Sequence, residues 1–491
     1  GTFDGSLVNA STNTVTELTP NKLVSFFGRA SYNYDSRYMI SGSLREDGGS
    51  VFGANNKWGL FPALSTGWMI SNEKFWKKMN MSWWNALKFR ISYGVTGNNN
   101  ISNSAAYSTL ASSTYAGSAS YYTNTLANTD LGWEKTYSTD VALDLSFLSN
   151  RIQMSVDYYT KQTKDLLYQV PVAGASGFTT TWENLGEIHN SGLEIEMTTH
   201  NMTGRLKWTT NFNMSYNTNK VISLGTDNTS IYSGWNGVGD GDNASNILAV
   251  GHPVNAFYMY HAIGVWKSQA EIDAYAAKCG TSKLTFEGKT IQPGDIKYKD
   301  VNGDGVVNDG DKVAIGATTK PNLIYGFGVS AQWKGFDFNA HFQGAGKSSF
   351  FINGPTVYAF SGSQWGNVLT NLVKNRYVDA ETAATLGIPA NENPNASYPR
   401  LSYGGNDNNY RASTYWLRDG SYLRLKTLEV GYTLPKSIVN KIRFNKIRVF
   451  FIGTNILTFA KFKEWDPEMG SSNGEKYPLA KTFTLGLTVN I

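Results

Sequence analysis

The stretch Arg205–Asn217, RLKWTTNFNMSYN, alternates strictly between apolar and polar side chains. Leu206, Trp208, Thr210, Phe212, Met214 and Tyr216 fall on one face of an extended strand. Lys207, Thr209, Asn211, Asn213, Ser215 and Asn217 fall on the other. A helical period would scatter these two sets around a cylinder. The run is about twice the usual globular strand of roughly five or six residues. A strand of this length, apolar along one whole side and polar along the other, suits a wall between lipid and water.

Twelve other segments repeat the unit. Lys22–Tyr34, Arg37–Arg45, Trp58–Ile70, Leu87–Thr96, Thr136–Phe147, Arg151–Thr163 and Ile188–Thr199 precede it. Leu323–Trp333, Gly335–Gly344, Ser421–Leu434, Lys446–Asn455 and Thr482–Ile491 follow it. Their connections are tight at Asp35–Ser36, Leu148–Asn150, His200–Gly204 and Lys334, and moderate at Ser71–Ala86 and Pro435–Asn445. They are long at Glu46–Lys57, Gly97–Lys135, Lys164–Glu187, Thr218–Asn322, Ala345–Gly420 and Ile456–Lys481. Short turns on one side and long loops on the other predict an all-β, transmembrane antiparallel barrel, with turns in the periplasm and loops outside. The parity holds when the strand-like Ala256–Trp266 stays inside one external excursion, Thr218–Asn322. The chain then begins outside, so an odd number of strands is expected upstream. The opening GTFDGSLVNAS has no basic or apolar leader, so the true N-terminus is expected to lie upstream as well. Short helices are expected at Ser268–Lys278 and Trp365–Asn375, within the loops.

Composition excludes several other classes. A single cysteine, Cys279, rules out an internal disulfide framework. A net charge of +5, dispersed along 491 residues, does not argue for nucleic acid. No run reaches the length of a transmembrane helix, but an alternating barrel wall needs none. His189, His200, His252, His261 and His341 are scattered, with no HExxH pair among them. SYGVTGN lacks the lysine of a phosphate loop. Asp337 and Glu196 alternate with apolar residues, as in a wetted barrel interior. No catalytic residues, and no enzyme, are expected.

Several motifs in order resemble the SusC-like TonB-dependent transporters, and the likeness runs through nearly the whole chain. They are FGRASYNYDSRYMISGSLREDGGSVFG (Phe27–Gly53), FPALSTGW (Phe61–Trp68), SYGVTGN (Ser92–Asn98) and LGWEKT (Leu131–Thr136). DYYTKQTKDLL (Asp157–Leu167), NLGEIHNSGLEIE (Asn184–Glu196) and PGDIKYKDVNGDGVVNDGDKVAIG (Pro293–Gly316) continue the series. PNLIYGFG (Pro321–Gly328) and GFDFNAHFQGAG (Gly335–Gly346) complete it. The resemblance implies a barrel of twenty-two strands in the outer membrane, of which residues 1–491 are the C-terminal portion. The plug domain and TonB box would lie upstream. It also implies energised import through the TonB–ExbB–ExbD complex, a SusD-like lipoprotein lid, and a dimer of transporter–lipoprotein pairs. Glycan or oligosaccharide is the expected cargo, with peptide import as the family's variation. A passive porin-like channel is the alternative that the strands alone would allow. One departure is Ile491, where such barrels usually end in an aromatic residue.

Two sets of loop residues are candidate sites. Asp300, Asn302, Asp304, Val306, Asn308 and Asp311 follow the spacing of a calcium loop, with Gly305 at its bend. Side-chain oxygens of the first three, the Val306 carbonyl and Asn308 would surround a structural calcium ion. Asp311 stands where a longer glutamate usually closes the shell. The alternative is a metal-free, Asx-rich turn. Tyr232, Trp235, Tyr358 and Trp365 lie in long loops among Gly and Asn, and could stack on sugar rings or simply pack within the loops. Trp208 and Tyr216, near the strand ends, read as interfacial girdle residues.

Overall fold

The structure is a computed structural model. It describes residues 8–9, 14–15, 21–108, 110–123, 125–172, 174–178, 180–225, 230–233, 245–286, 289–361, 368–387, 396 and 398–490. Thirteen long strands hydrogen-bond in chain order into one antiparallel sheet. They are β1 (Leu23–Tyr34), β2 (Tyr38–Gly49), β3 (Trp58–Met69), β4 (Trp84–Asn98), β5 (Glu134–Phe147), β6 (Ile152–Lys164) and β7 (Glu187–Thr203). The rest are β8 (Leu206–Ser223), β9 (Leu323–Trp333), β10 (Phe336–Gly346), β11 (Tyr422–Thr433), β12 (Lys446–Ala460) and β13 (Thr482–Asn490). Each coincides with one of the thirteen alternating segments. Several run a few residues longer, because pairing continues past the last alternating residue. The segment Ala256–Trp266 stays out of this sheet and folds as two short strands, Ala256–Tyr260 and Ala262–Val265, in small separate sheets.

The chain divides into two compact units, Gly1–Thr199 with Asn217–Thr229, and His200–Tyr216 with Ser230–Ile491. In the first unit, register carries the alternation across strands. One row runs Ile40, Thr66, Ile91, Val141, Tyr158 and Leu193 from β2 to β7. The next row runs Ser41, Ser65, Ser92, Asp140, Tyr159 and Gly192. A one-residue slip anywhere would put the apolar set on the polar face, which fixes the pairing. Gly192 sits under the Tyr159 ring, where an added Cβ would collide with it. On the polar face Arg90 reaches Asp144 and Asp157, each at 2.9 Å. At the long-connection end Phe52, Phe61 and Trp133 form a buried cluster, with Trp133 4.7 Å from Phe52 and 5.2 Å from Phe61. Three of the quoted motifs therefore meet at one knot that ties a loop to its strands. At the opposite end a short helix, α1 (Lys74–Lys78), fills the connection between β3 and β4.

In the second unit β9 and β10 turn through Lys334 and Gly335, both at positive φ, as in a type I′ two-residue hairpin. Phe212, Phe327 and Phe342 lie in one register row, with the last two rings stacked at 4.6 Å. On β8, Leu206, Trp208, Phe212, Met214 and Tyr216 are all at least partly exposed, so this face does not close on a core. Phe483, Leu485 and Leu487 of β13 are more than 60% exposed. Exposure to water would cost roughly 1.5–3 kcal/mol for each such side chain. Hydrocarbon removes that cost. The other face is polar, and Arg448 bridges Asp337 and Glu429 there.

Candidate binding site in the long connections

The long connections of the second unit fold together. Strands Ser230–Ser233, Ser245–Ala249, Ala256–Tyr260 and Lys312–Ile315 make a four-stranded sheet. Ala262–Val265 pairs with Ile296–Tyr298, and Ser349–Phe351 with Leu417–Asp419. Helix α2 (Gln269–Lys278) starts where the Ser268 side chain accepts the Glu271 amide, and it buries Ile272 and Ala276. Phe257, Met259, Tyr298, Phe351, Tyr358, Leu372, Trp416 and Phe462 then form one apolar core. Its members come from three connections that alternation along the chain treats as separate loops.

A buried polar clasp locks this layer. Asp295 is 1% exposed. It accepts from Arg400 Nε at 2.6 Å, Asn406 Nδ2 at 2.9 Å, Asn409 Nδ2 at 3.2 Å and the Gln292 amide at 2.9 Å. Asn409 accepts the Ile296 amide at 2.8 Å, and Asn408 donates to the Ile296 carbonyl at 3.0 Å. A carboxylate removed from water needs this many donors. Every one of them comes from residues 292–296 or 400–409.

Beside the core lies a cavity of about 970 Å³. Tyr260, Phe286, Tyr358, Tyr410 and Arg411 give it an aromatic and cationic wall, and Asn308, Asp309, Lys312, Ser361 and Asp407 line the rest. Tyr358 stacks on Tyr410 at 4.5 Å and meets Trp416 edge-on at 5.0 Å. The Arg411 guanidinium lies over the Tyr260 ring at 4.7 Å. Tyr260 donates to Asp309 at 2.9 Å, and Lys312 sits 2.9 Å from the same carboxylate. Those contacts, the Lys312 hydrogen bond first, hold the Asp309 carboxyl below the usual carboxylate range. The lining combines buried aromatic rings, which pack on one another and under Arg411, with charged and amide side chains.

Burial, and then the Asp407 charge, pushes the Tyr410 phenol up to about 12. Burial and the neighbouring Cys279 and Asp300 push Tyr275 up to about 12. Both phenols are held neutral in the fold, while an unfolded tyrosine ionises near pH 10. A raised folded pKa contributes stability that is complete below pH about 10 and is lost as pH rises toward about 12. Tyrosinate absorbance should therefore rise in two phases, the later one coinciding with loss of near-UV dichroism from the loop layer. A single phase near pH 10 with the layer intact would contradict the burial of these phenols.

The loop Asp300–Asp311 forms one wall of the cavity through Val306, Asn308 and Asp309. Asp300 accepts the Gly303 amide at 2.7 Å and the Gly305 amide at 2.9 Å. Asp304 accepts the Val306 amide at 2.8 Å and Asn302 Nδ2 at 3.0 Å. Gly305, at φ +84°, packs on Cys279. Asp311 is fully buried and accepts amides from Val301 at 2.7 Å and Asn308 at 2.8 Å. Among the described residues no three His, Cys, Asp or Glu side chains gather closely enough to hold a metal by themselves. A calcium ion here would draw on amide and carbonyl oxygens too. Asp300, Asn302, Asp304 and Val306 fit that donor set, since each carboxylate oxygen keeps a further lone pair. Asp311 accepts loop amides as Asp300 does, but from a fully buried position.

The four aromatic candidates separate. Tyr358 is 2% exposed, stacked in the core, and forms part of the cavity wall. Tyr232 lies on the strand Ser230–Ser233, opposite Ile247. Trp235 and Trp365 lie outside the described residues. The helix expected over Trp365–Asn375 is described as Thr370–Asn375. Trp208 is 39% exposed near the start of β8, and Lys347 donates to the Tyr216 hydroxyl at 2.8 Å past its middle, since β8 continues to Ser223. Arg411, Tyr410 and the Asp295 clasp carry no local sequence signal. The run Asn406–Asn409, NDNN, reads as an ordinary polar loop.

A long two-faced antiparallel wall with folded connections on one side defines a membrane β-barrel protein. The family described as TonB dependent receptor-like, beta-barrel matches residues 2–267, more than half of the chain. The chain belongs to that family and is an outer-membrane protein. TonB-dependent receptor P3 of Formosa agariphila is 32% identical over 494 residues, covering 96% of this chain and 46% of that protein. TonB-dependent receptor SusC of Bacteroides thetaiotaomicron is 28% identical over 489 residues, covering 96% and 44%. Among solved structures, the RagAB peptide transporter aligns with a TM-score of 0.75 and 23% identity, over 99% of this chain and 50% of that one. The chain thus spans a little under half the length of the curated relatives it matches.

Proposed function

We propose that this chain is the C-terminal part of the barrel of an importer that takes up oligosaccharide at the expense of TonB-coupled energy. The observation that carries the reading is the cavity wall of Tyr260, Tyr410 and Arg411, set in a folded layer on the long-connection side of a membrane wall. In this reading the layer faces outward, and it seats a SusD-like lipoprotein. A plug upstream of this chain would close the lumen and move when TonB–ExbB–ExbD pulls it. The transporter–lipoprotein pairs would dimerise. Binding, lid closure, plug displacement and release complete the cycle without covalent chemistry. Peptide import is the second reading, favoured by the likeness to the RagAB peptide transporter. Cells carrying the full-length protein should accumulate labelled oligosaccharide and lose that uptake when TonB is deleted. Uptake that survives the deletion would instead mark a passive channel, and uptake of oligopeptides alone would transfer the reading to peptides.

The calcium assignment belongs to the same reading. Asp300, Asn302, Asp304, the Val306 carbonyl and Asn308 would hold one calcium ion that stiffens the cavity wall, with Asp311 bracing the loop behind it. External calcium well above the dissociation constant would stabilise the layer by about 2.7 kcal/mol at a hundredfold excess. Chelation should lower the unfolding temperature of wild type and leave Asp300→Ala unmoved. Equal unfolding temperatures of wild type with and without chelator would refute the assignment.

A further inference from the structure

We propose that the connection between β3 and β4 is a docking site for anionic phospholipid headgroups of the periplasmic leaflet. It rests on the orientation adopted above, with the short turns toward the periplasm.

Lys74, Lys77 and Lys78 of α1 are exposed, and none pairs with a carboxylate among the described residues. The adjacent Glu73 is buried, and it is engaged by Arg37 at 3.3 Å and Trp68 at 3.1 Å. That contact pins the start of α1 to the β1–β2 turn and to β3. The three lysines thus form an uncompensated positive patch on a fixed support.

The patch continues the apolar face of the wall. Leu87 pairs with Leu145, and Trp84 with Phe147, so these aromatics extend the same row toward the turn. Trp84 meets Trp76 edge-on at 4.9 Å and Phe147 at 5.4 Å. Trp83 stacks on Phe147 at 6.1 Å. Phe75, Met79 and Trp83 are each about half exposed beside the lysines. Acyl chains cover the wall in a membrane, so the next group met along it is the headgroup of the same lipid. Aromatic rings with a polar edge and long cationic side chains suit that depth. Three lysines without counter-ions select a negative headgroup.

Native mass spectrometry of the purified full-length protein tests this, with phosphatidylglycerol, phosphatidylethanolamine and lipopolysaccharide as the added probes. Wild type should retain phosphatidylglycerol over phosphatidylethanolamine by roughly five-fold or more. The triple variant Lys74→Gln, Lys77→Gln, Lys78→Gln should lose that preference, while Lys→Arg at the same positions keeps it. Heat-dependent gel mobility confirms that both variants fold, since all three side chains are exposed. An unchanged preference in the Gln variant overturns the proposal, and so does lipopolysaccharide displacing phosphatidylglycerol from wild type, which would place this end in the outer leaflet. Loss of oligosaccharide uptake with lipid preference intact would count against the importer reading alone.

Discussion

Ile91→Arg is expected to block assembly of the wall in the membrane, while Ser92→Lys, one residue along, is tolerated. Ile91 stands midway along β4, between Thr66 and Val141 in the apolar row, and is 39% exposed. A guanidinium there would face hydrocarbon, at roughly 2–4 kcal/mol for a mid-membrane site. Against a total stability of about 5–15 kcal/mol, that is a large fraction. Ser92 is on the opposite face, opposite Ser65 and Asp140 in register. A lysine there gains a carboxylate neighbour in a wet environment. Heat-dependent gel mobility of the outer-membrane fraction measures the folded share of each variant. Equal folding of the two would refute the difference between the faces, and Ser92→Lys folding worse than Ile91→Arg would show that they have been read the wrong way round.

Asp295→Ala should loosen the loop layer without dismantling the wall. Removing the carboxylate strands Arg400 and leaves the donors of Asn406 and Asn409 without their shared acceptor. Breaking one side of a fully buried ion pair costs about 3–5 kcal/mol, and the cost here lies below that because the Arg400 side chain is 24% exposed and keeps Ser402 at 2.9 Å. The segments around residues 292–296 and 400–409 should become open to protease, and the cavity should lose its Arg411 wall. The strands keep their own ladder, so the protein should still resist SDS when unheated. Protection from protease equal to wild type would sink the idea that this clasp holds the layer.

The wall was legible from alternation because a strand in lipid reports its surroundings residue by residue. Ile152, Met154, Val156 and Tyr158 against Gln153, Ser155, Asp157 and Tyr159 already separate the two solvents. Tight turns were legible for a related reason. Lys334–Gly335 reverses the chain with both residues at positive φ, and glycine is the residue that allows it at least cost. The turn-rich character of Asp300–Asp311 was legible as well, since its Asx side chains recur within one short stretch and accept nearby amides.

The cavity was not legible, because its walls come from residues 260, 285–286, 306–312, 354–361 and 404–412. Nothing local distinguishes Tyr410 or Arg411 from other loop residues. Tyr358 could be picked out as an aromatic among glycines, yet only packing decides that it stacks on Tyr410 inside the core. The same holds for Asp295, which in PGDIKY reads as a turn residue and in the fold is an acceptor for four donors.

Sequence alone thus determined the thirteen strands of the wall, their faces and their turns, since each is dictated by neighbours one or two residues away. Tertiary structure decided how the long connections join, which carboxylate is buried, and where a ligand-sized space remains. Those depend on contacts across a hundred residues, and a one-dimensional pattern carries no record of them.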